Sequence, residues 1–216
     1  MNFLTRFKKV KSGFIAFLKS PDDHKLYTIS DAERFKDILI IVILQLLIMI
    51  PLAIVIGVLE YTELLELPDH KLADMIDKRS IHLVFFAAVI LAPIVEETLF
   101  RGFITFQRFY PLLFIIALAG AVGKNQFKVL LVTRRLWDSF FPFLALFSVL
   151  IFGYMHVWNF EEQMSLWLIP IAISPQFIAG LFLTYARVRY GLIWSMLAHA
   201  SVNFTALFLY YAVPLN

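Results

Sequence analysis

The stretch ILIIVILQLLIMIPLAIVIGVL, from Ile38 to Leu59, runs for 22 residues without a charge. A helix needs about 20 mostly apolar residues to cross the hydrocarbon core of a bilayer, so this segment reads as a membrane span. Working outward, residues 81–106, 139–157, 166–185 and 192–214 form further apolar runs of spanning length. Residues 109–122 are apolar but short, which fits a piece that dips into the membrane or lies on it better than one that crosses. Pro51, Pro93, Pro142, Pro170 and Pro175 lie within or at the edges of these runs, where neighbouring helices can satisfy the carbonyls that proline frees. The composition agrees. Hydrophobic residues make up 61% of the chain, charged residues 16%, and mean hydropathy is +0.80; soluble domains average about 45–50% apolar and about 25% charged. Lipid must solvate part of that surface. The expected fold is all-α: a polytopic transmembrane helix bundle of about five to six membrane helices in one domain, residues 38–216, preceded by a basic N-terminal segment, residues 1–37.

Charge placement suggests a topology. Residues 1–37 hold eight Lys and Arg, whereas residues 60–80 hold six acidic and three basic residues. By the positive-inside rule the first segment is cytoplasmic and the second lies outside. Arg101, Arg134, Arg135, Arg187 and Arg189 all fall inside if 109–122 does not cross, and the Glu161-Glu162 loop falls outside. The N-terminal stretch mixes basic residues with Phe3, Leu4, Phe7, Phe14, Phe17 and Leu18. It reads either as an amphipathic segment on an anionic membrane face or as a solvated arm. It has no apolar core of signal-peptide type. The absence of cysteine excludes a disulfide framework, a thiolate metal site and a cysteine nucleophile. Basic residues without interleaved aromatic stacking positions exclude a nucleic-acid partner. The expected partners are membrane lipid and a membrane-associated peptide or protein.

Nearly all charges sit between the apolar runs. The ionisable exceptions are Glu96, Glu97, Arg101, His156 and His199. A charge near the bilayer centre costs roughly 2.5–3.5 kcal/mol on insertion scales, so such residues face the bundle interior, pair with one another and mark function. Glu97 and Arg101 are four apart and can pair on one helix face. Glu96 is rotated from Glu97 by about 100° and can point elsewhere. His199 and Asn203 share a second face; Phe152 and His156 share a third. One carboxylate, two imidazoles and an amide can thus converge from three helices. A carboxylate in an apolar surround is suited to general-base work. Imidazole can hold a water or a metal, and imidazole and amide N–H groups can stabilise an oxyanion. Together these equip a site for attack by water on a peptide carbonyl. Glu96, His156 and His199 also form the two-His, one-Glu ligand set of many hydrolytic zinc sites, so a divalent metal such as zinc is a candidate cofactor, although H-E-x-x-H is absent. Ser148, Ser174, Ser195 and Ser201 read as helix-packing residues. His24, His70 and His82 lie outside the spans or at an edge and receive no role.

Three motifs carry a specific resemblance. Glu96-Glu97-Thr98-Leu99-Phe100-Arg101 resembles the E-E-x-x-x-R motif of the CAAX protease and bacteriocin-processing family of intramembrane endopeptidases, which includes the type II CAAX prenyl endopeptidases. Phe152 to His156 resembles its F-x-x-x-H motif. His199 and Asn203, with Gly191 and Trp194 leading in, resemble H-x-x-x-N. The resemblance covers about residues 85–205. It implies that Glu96 acts as base on the attacking water, that His156 helps hold that water, and that His199 and Asn203 stabilise the oxyanion. Glu97 completes the first motif and is counted with the catalytic set, while Arg101 and Phe152 lend structural support. It also implies a multi-pass protein, expected in a bacterial inner membrane. The chain has fewer helices before the first motif than prenyl endopeptidases have, and a long basic interval from Phe103 to Phe141. Both leave the substrate open between prenylated and bacteriocin-type peptides. The alternatives are a non-catalytic immunity or scaffold protein of the same fold, and an ion or proton carrier. A carrier needs a polar path to both faces, which Ile81–Ala92 and Phe204–Leu209 do not offer.

Overall fold

The computed structural model describes residues 1–24, 29–105 and 126–212. The side chains of residues 72–74, 77 and 126–130 lie outside that description, as does the apolar segment 109–122. Helix α1 (Phe3–Lys19) is followed by the long α2 (Asp31–Tyr61) and the short α3 (Lys71–Lys78). Helix α4 (Ile81–Phe85) runs through one π-helical stretch (Phe86–Leu91) into α5 (Ala92–Arg101). Helix α6 (Gln126–Met155) ends in a 3₁₀ turn (His156–Asn159). Helices α7 (Ile169–Ala172), α8 (Ser174–Tyr190) and α9 (Leu192–Ala212) complete the chain.

The all-helical bundle is as expected. Among the described residues, four stretches are long and apolar enough to span: Asp31–Tyr61, Ile81–Arg101, Leu131–Asn159 and Leu192–Ala212. The run expected to span over 166–185 divides instead into α7 and the 17-residue α8, which begins later and ends at Tyr190. The cause is two prolines. Pro170 and Pro175 each occupy the first turn of a helix, where the missing N–H costs nothing, so each starts a helix where a continuous one would have run. At about 26 Å, α8 is near the lower limit for a span, but it is the most enclosed helix. Phe182 through Val188 are all buried, and α8 packs against α6, α9, α2 and α1. Its close fit to α6 needs a glycine: a Cβ on Gly180 would meet Val149 Cγ1 at 3.1 Å and Phe152 Cδ1 at 3.4 Å. Gly191, at φ 113°, takes a left-handed conformation that favours glycine and turns the chain straight into α9. The outer faces are left apolar. Leu47, Ile54, Phe143 and Ile193 are all more than half exposed, as a lipid-facing surface requires.

Helix α1 is docked rather than solvated. Arg6, Val10, Phe14 and Phe17 form one buried stripe against α2 and α8, with Phe14 stacked on Phe182 at 4.1 Å. Phe3, Leu4, Ile15 and Leu18 remain exposed, so the helix keeps an apolar edge for a membrane surface. Ion pairs hold it. Arg6 donates to Asp37 Oδ1 at 2.8 Å and to Glu33 Oε1 at 3.0 Å, and Tyr190 donates to the other Asp37 oxygen at 3.3 Å. Beyond α1, Arg189 donates to Asp22 Oδ2 at 2.8 Å, and Trp137 Nε1 donates to Asp23 Oδ2 at 2.9 Å. The hydrogen bond from Arg189 holds the Asp22 carboxyl well below the usual carboxylate range. A carboxyl stabilised in this way contributes fully above its unfolded pKa of about 3.9 and is lost only as pH falls further. The buried Arg6–Asp37 pair is the stronger fastener. Asp37→Ala should lower the stability of the detergent-solubilised protein by about 1–3 kcal/mol, because it leaves the buried Arg6 with only the half-exposed Glu33 as counter-charge and removes the acceptor of Tyr190. Thermal unfolding of Asp37→Ala beside Lys9→Ala, an exposed control, measures this; equal melting temperatures would contradict it.

Candidate active site

The site begins with a proline. In the π-helical stretch the Ala92 N–H reaches back five residues to the Ala87 carbonyl. In that register the Ala88 carbonyl faces Pro93, which has no N–H to give. An unsatisfied carbonyl inside a membrane costs several kcal/mol. Asn203 on α9 supplies the donor: its Nδ2 bonds the Ala88 oxygen at 2.8 Å. This contact ties α9 to the wide turn and starts α5 one step further round.

Helix α5 then places two adjacent carboxylates in different surroundings. Glu97 is fully buried and Arg101 equally so. Arg101 Nη1 donates to Glu97 Oε1 at 2.6 Å, the pairing expected from their four-residue spacing. The guanidinium lies 3.9 Å over the Phe152 ring, so the aromatic face takes the part of the cation that makes no hydrogen bond at Nε or Nη2. Three further contacts close the end of α5. Ser148 donates to the Phe100 carbonyl at 2.6 Å, and Arg187 Nε to the Arg101 carbonyl at 2.8 Å; these are carbonyls that a helix end leaves without partners. Ser195 Oγ donates to the second Glu97 oxygen.

Glu97 in turn orients His199. His199 Nδ1 lies 3.1 Å from Glu97 Oε1, which turns Nε2 toward Glu96 at 3.8 Å from Oε2. His156 is aimed in the same way. Its Nδ1 lies 2.7 Å from the Phe152 carbonyl, which can only accept, so Nδ1 carries the proton. Its Nε2 then faces the same Glu96 oxygen at 3.9 Å. Phe152 is the wedge between them, with ring centroids 4.7 Å from His156 and 5.8 Å from His199. Glu96 Oε2 is buried and has no hydrogen-bond partner. Two imidazole nitrogens and one carboxylate oxygen thus face a common point without touching.

That point lies in a cavity of about 620 Å³. Glu96, Phe152, His156, His199 and Asn203 all line it; Glu97 and Arg101 stand behind its wall. The structure therefore separates the two glutamates that share one motif: Glu96 faces the cavity, and Glu97 is a buried support. Asn203 reaches the cavity one turn from His199, but one of its N–H groups is committed to Ala88. Sequence reasoning missed four neighbours. Ser195, which reads as a packing residue, binds Glu97; its position four residues before His199, on the same face, is the signal that could have found it. His70 lines the cavity, carried there by an antiparallel bridge to Phe160 and an edge-on ring contact with it at 5.2 Å. Gln45 and Gln176 also line it, each with a buried Oε1 that has no donor. No local periodicity announces such long-range placement.

Glu96, His156 and His199 are of the residue types that hold hydrolytic zinc. Ligand atoms on a tetrahedral zinc stand about 3.4 Å apart, closer than the 3.8 and 3.9 Å found at Glu96. Among the described residues no three His, Asp or Glu side chains are gathered to hold a metal ion. The separations lie between the zinc value and the roughly 4.6 Å between two atoms hydrogen-bonded to one water at a tetrahedral angle, so a small rotation of the side chains fits the three atoms to either.

A family model described as Rce1-like, type II CAAX prenyl endopeptidase Rce1-like, matches residues 78–205, more than half of the chain. Comparisons with curated proteins and with solved structures found no match. The supporting role of Arg101 is directly measurable. Arg101→Met leaves the buried Glu97 without its guanidinium, with only Ser195 and His199 as partners, and should cost about 3–5 kcal/mol. Glu96→Gln, which keeps shape and loses only a charge outside that pair, should stay within about 1 kcal/mol of the parent. Melting curves in detergent give both values; equal losses would mean that the two acids are not divided in this way.

Proposed function

Because the chain belongs to the Rce1-like type II CAAX prenyl endopeptidase family, a family of CAAX-type intramembrane proteases, we propose that it hydrolyses a peptide bond inside the membrane with Glu96 as the general base. The observation that carries this reading is the unpartnered Glu96 oxygen facing two imidazole nitrogens in a cavity open to a substrate. A water bound there lies between Glu96 and His156. Glu96 takes one of its protons as the oxygen attacks the substrate carbonyl, and later returns that proton to the departing amine nitrogen, so the carboxylate is regenerated. Glu97 holds His199 through Nδ1 and so aims its Nε2 edge at the cavity, where an Nε2–H would donate to the developing oxyanion. Asn203, with one N–H engaged, has its second available to the same oxyanion.

The occupant is a peptide rather than a lipid chain alone. Gln45 and Gln176 present acceptor oxygens without donors, and an acyl or prenyl chain has no N–H to offer them, whereas an extended peptide backbone has one at every residue. A prenylated or bacteriocin-type peptide meets this requirement. No step needs a metal, so chelation should leave cleavage within about twofold.

Loss of the base should be severe. Glu96→Gln is expected to reduce cleavage by about 10²–10⁴-fold while the protein still folds, and His199→Ala should also inactivate it. Comparative proteomics of cells carrying the parent or Glu96→Gln would reveal the substrate as membrane peptides that persist uncleaved. An unchanged peptide profile would favour the scaffold reading instead. Cleavage abolished by chelator and restored by zinc would overturn the metal-free route.

A further inference from the structure

We infer that the cavity opens on the non-cytoplasmic face of the membrane, so that the enzyme takes extended peptide segments presented on that side. What enters rests on the peptidase reading above; where the cavity opens does not. Five helices vote on direction. The cavity draws on α2 from its middle onward, at Gln45 and Met49, and on the first half of the α4–α5 unit, at Ala87 and Ala88. It draws on the last turn after α6 at His156 and Asn159, and on the start of α8 at Gln176. From α9 it takes the second half, as far as Tyr210. Each of these lies toward the end of the bundle that carries the 62–80 and 160–173 connections. His70, Lys71 and Met75 of the first connection form the cavity's rim, and two contacts join the connections there: Glu161 N–H to the Asp69 carbonyl at 2.9 Å, and Lys71 Nζ to the Trp158 carbonyl at 2.8 Å.

The basic residues crowd the opposite end. Helix α1 carries Arg6, Lys8, Lys9 and Lys11; the start of α2 carries Arg34 and Lys36; Arg134 and Arg135 stand on the first half of α6, and Arg187 and Arg189 at the end of α8. At the cavity end, Lys71, Lys78 and Arg79 stand against Glu60, Glu63, Glu66 and Asp69. Lys and Arg bias sets orientation in short connections near membrane helices, and here it places the α1 end in the cytoplasm and the cavity mouth across the membrane. The substrates are then peptides that have already been exported, or the exported ends of membrane-anchored ones, rather than chains approaching from the cytosol.

The absence of cysteine makes a direct test available. Single variants Glu161→Cys and Met75→Cys report the cavity end, and Lys9→Cys and Arg135→Cys the other. Each full-length variant is expressed in bacterial cells and treated with a membrane-impermeant maleimide, before and after permeabilisation. The expected pattern is labelling of Glu161→Cys and Met75→Cys in intact cells, with Lys9→Cys and Arg135→Cys labelled only after permeabilisation. The reverse pattern overturns the inference, as does labelling of both ends in intact cells. Labelling of Glu161→Cys without Met75→Cys, even after permeabilisation, means that the cavity does not open there and overturns it too. None of these outcomes depends on cleavage, so an inactive protein with the expected labelling would count against the peptidase reading alone.

Discussion

The Glu97–Arg101 ion pair, fully buried where lipid offers no solvation, is the constraint around which the rest is arranged. Two opposite charges at that depth need further partners beyond each other. Arg101 is met by the Phe152 ring, and Glu97 by Ser195 and His199. Those partners come from α6 and α9, so satisfying one pair on α5 fixes three helices relative to one another. The same contacts aim His199, and through Phe152 they set His156 beside it. The pair thus orders the wall behind the cavity and orients the histidine that faces it.

Much of this was legible in sequence, because in a membrane the rules are severe. A charge-free run of about 20 residues matches the thickness of the hydrocarbon core, and four-residue spacing alone made Glu97 and Arg101 partners. The rotation between Glu96 and Glu97 agrees with their different surroundings, although Glu97, grouped with the catalytic set on sequence, lies behind the cavity wall. What escaped was set by long-range contacts or by single prolines. Pro170 and Pro175 moved the start of α8, and Pro93 with the π-helical turn gave Asn203 an anchoring bond that a simple H-x-x-x-N pattern does not disclose. Ser195, Gln45, Gln176 and His70 reach the site through tertiary packing that no local period encodes.

Function follows from the contrast between a satisfied wall and an unsatisfied face. Behind the wall, each charged group has a partner. On the cavity side, Glu96 and the two glutamines lack donors. Buried polar groups without partners are costly, and their clustering in one cavity marks a place where a polar ligand belongs. Under the proposed reading, water at Glu96 and a peptide backbone at the glutamines would meet both needs at once.

The convergence of Glu96, His156 and His199 on one water is most directly tested by a high-resolution experimental structure of the detergent-solubilised protein, recorded with anomalous scattering at the zinc edge. The expected result is density for a single water within hydrogen-bond distance of Glu96 Oε2 and both Nε2 atoms, with no anomalous signal. An anomalous peak at that position, or the three side chains turned away from one another, would contradict it.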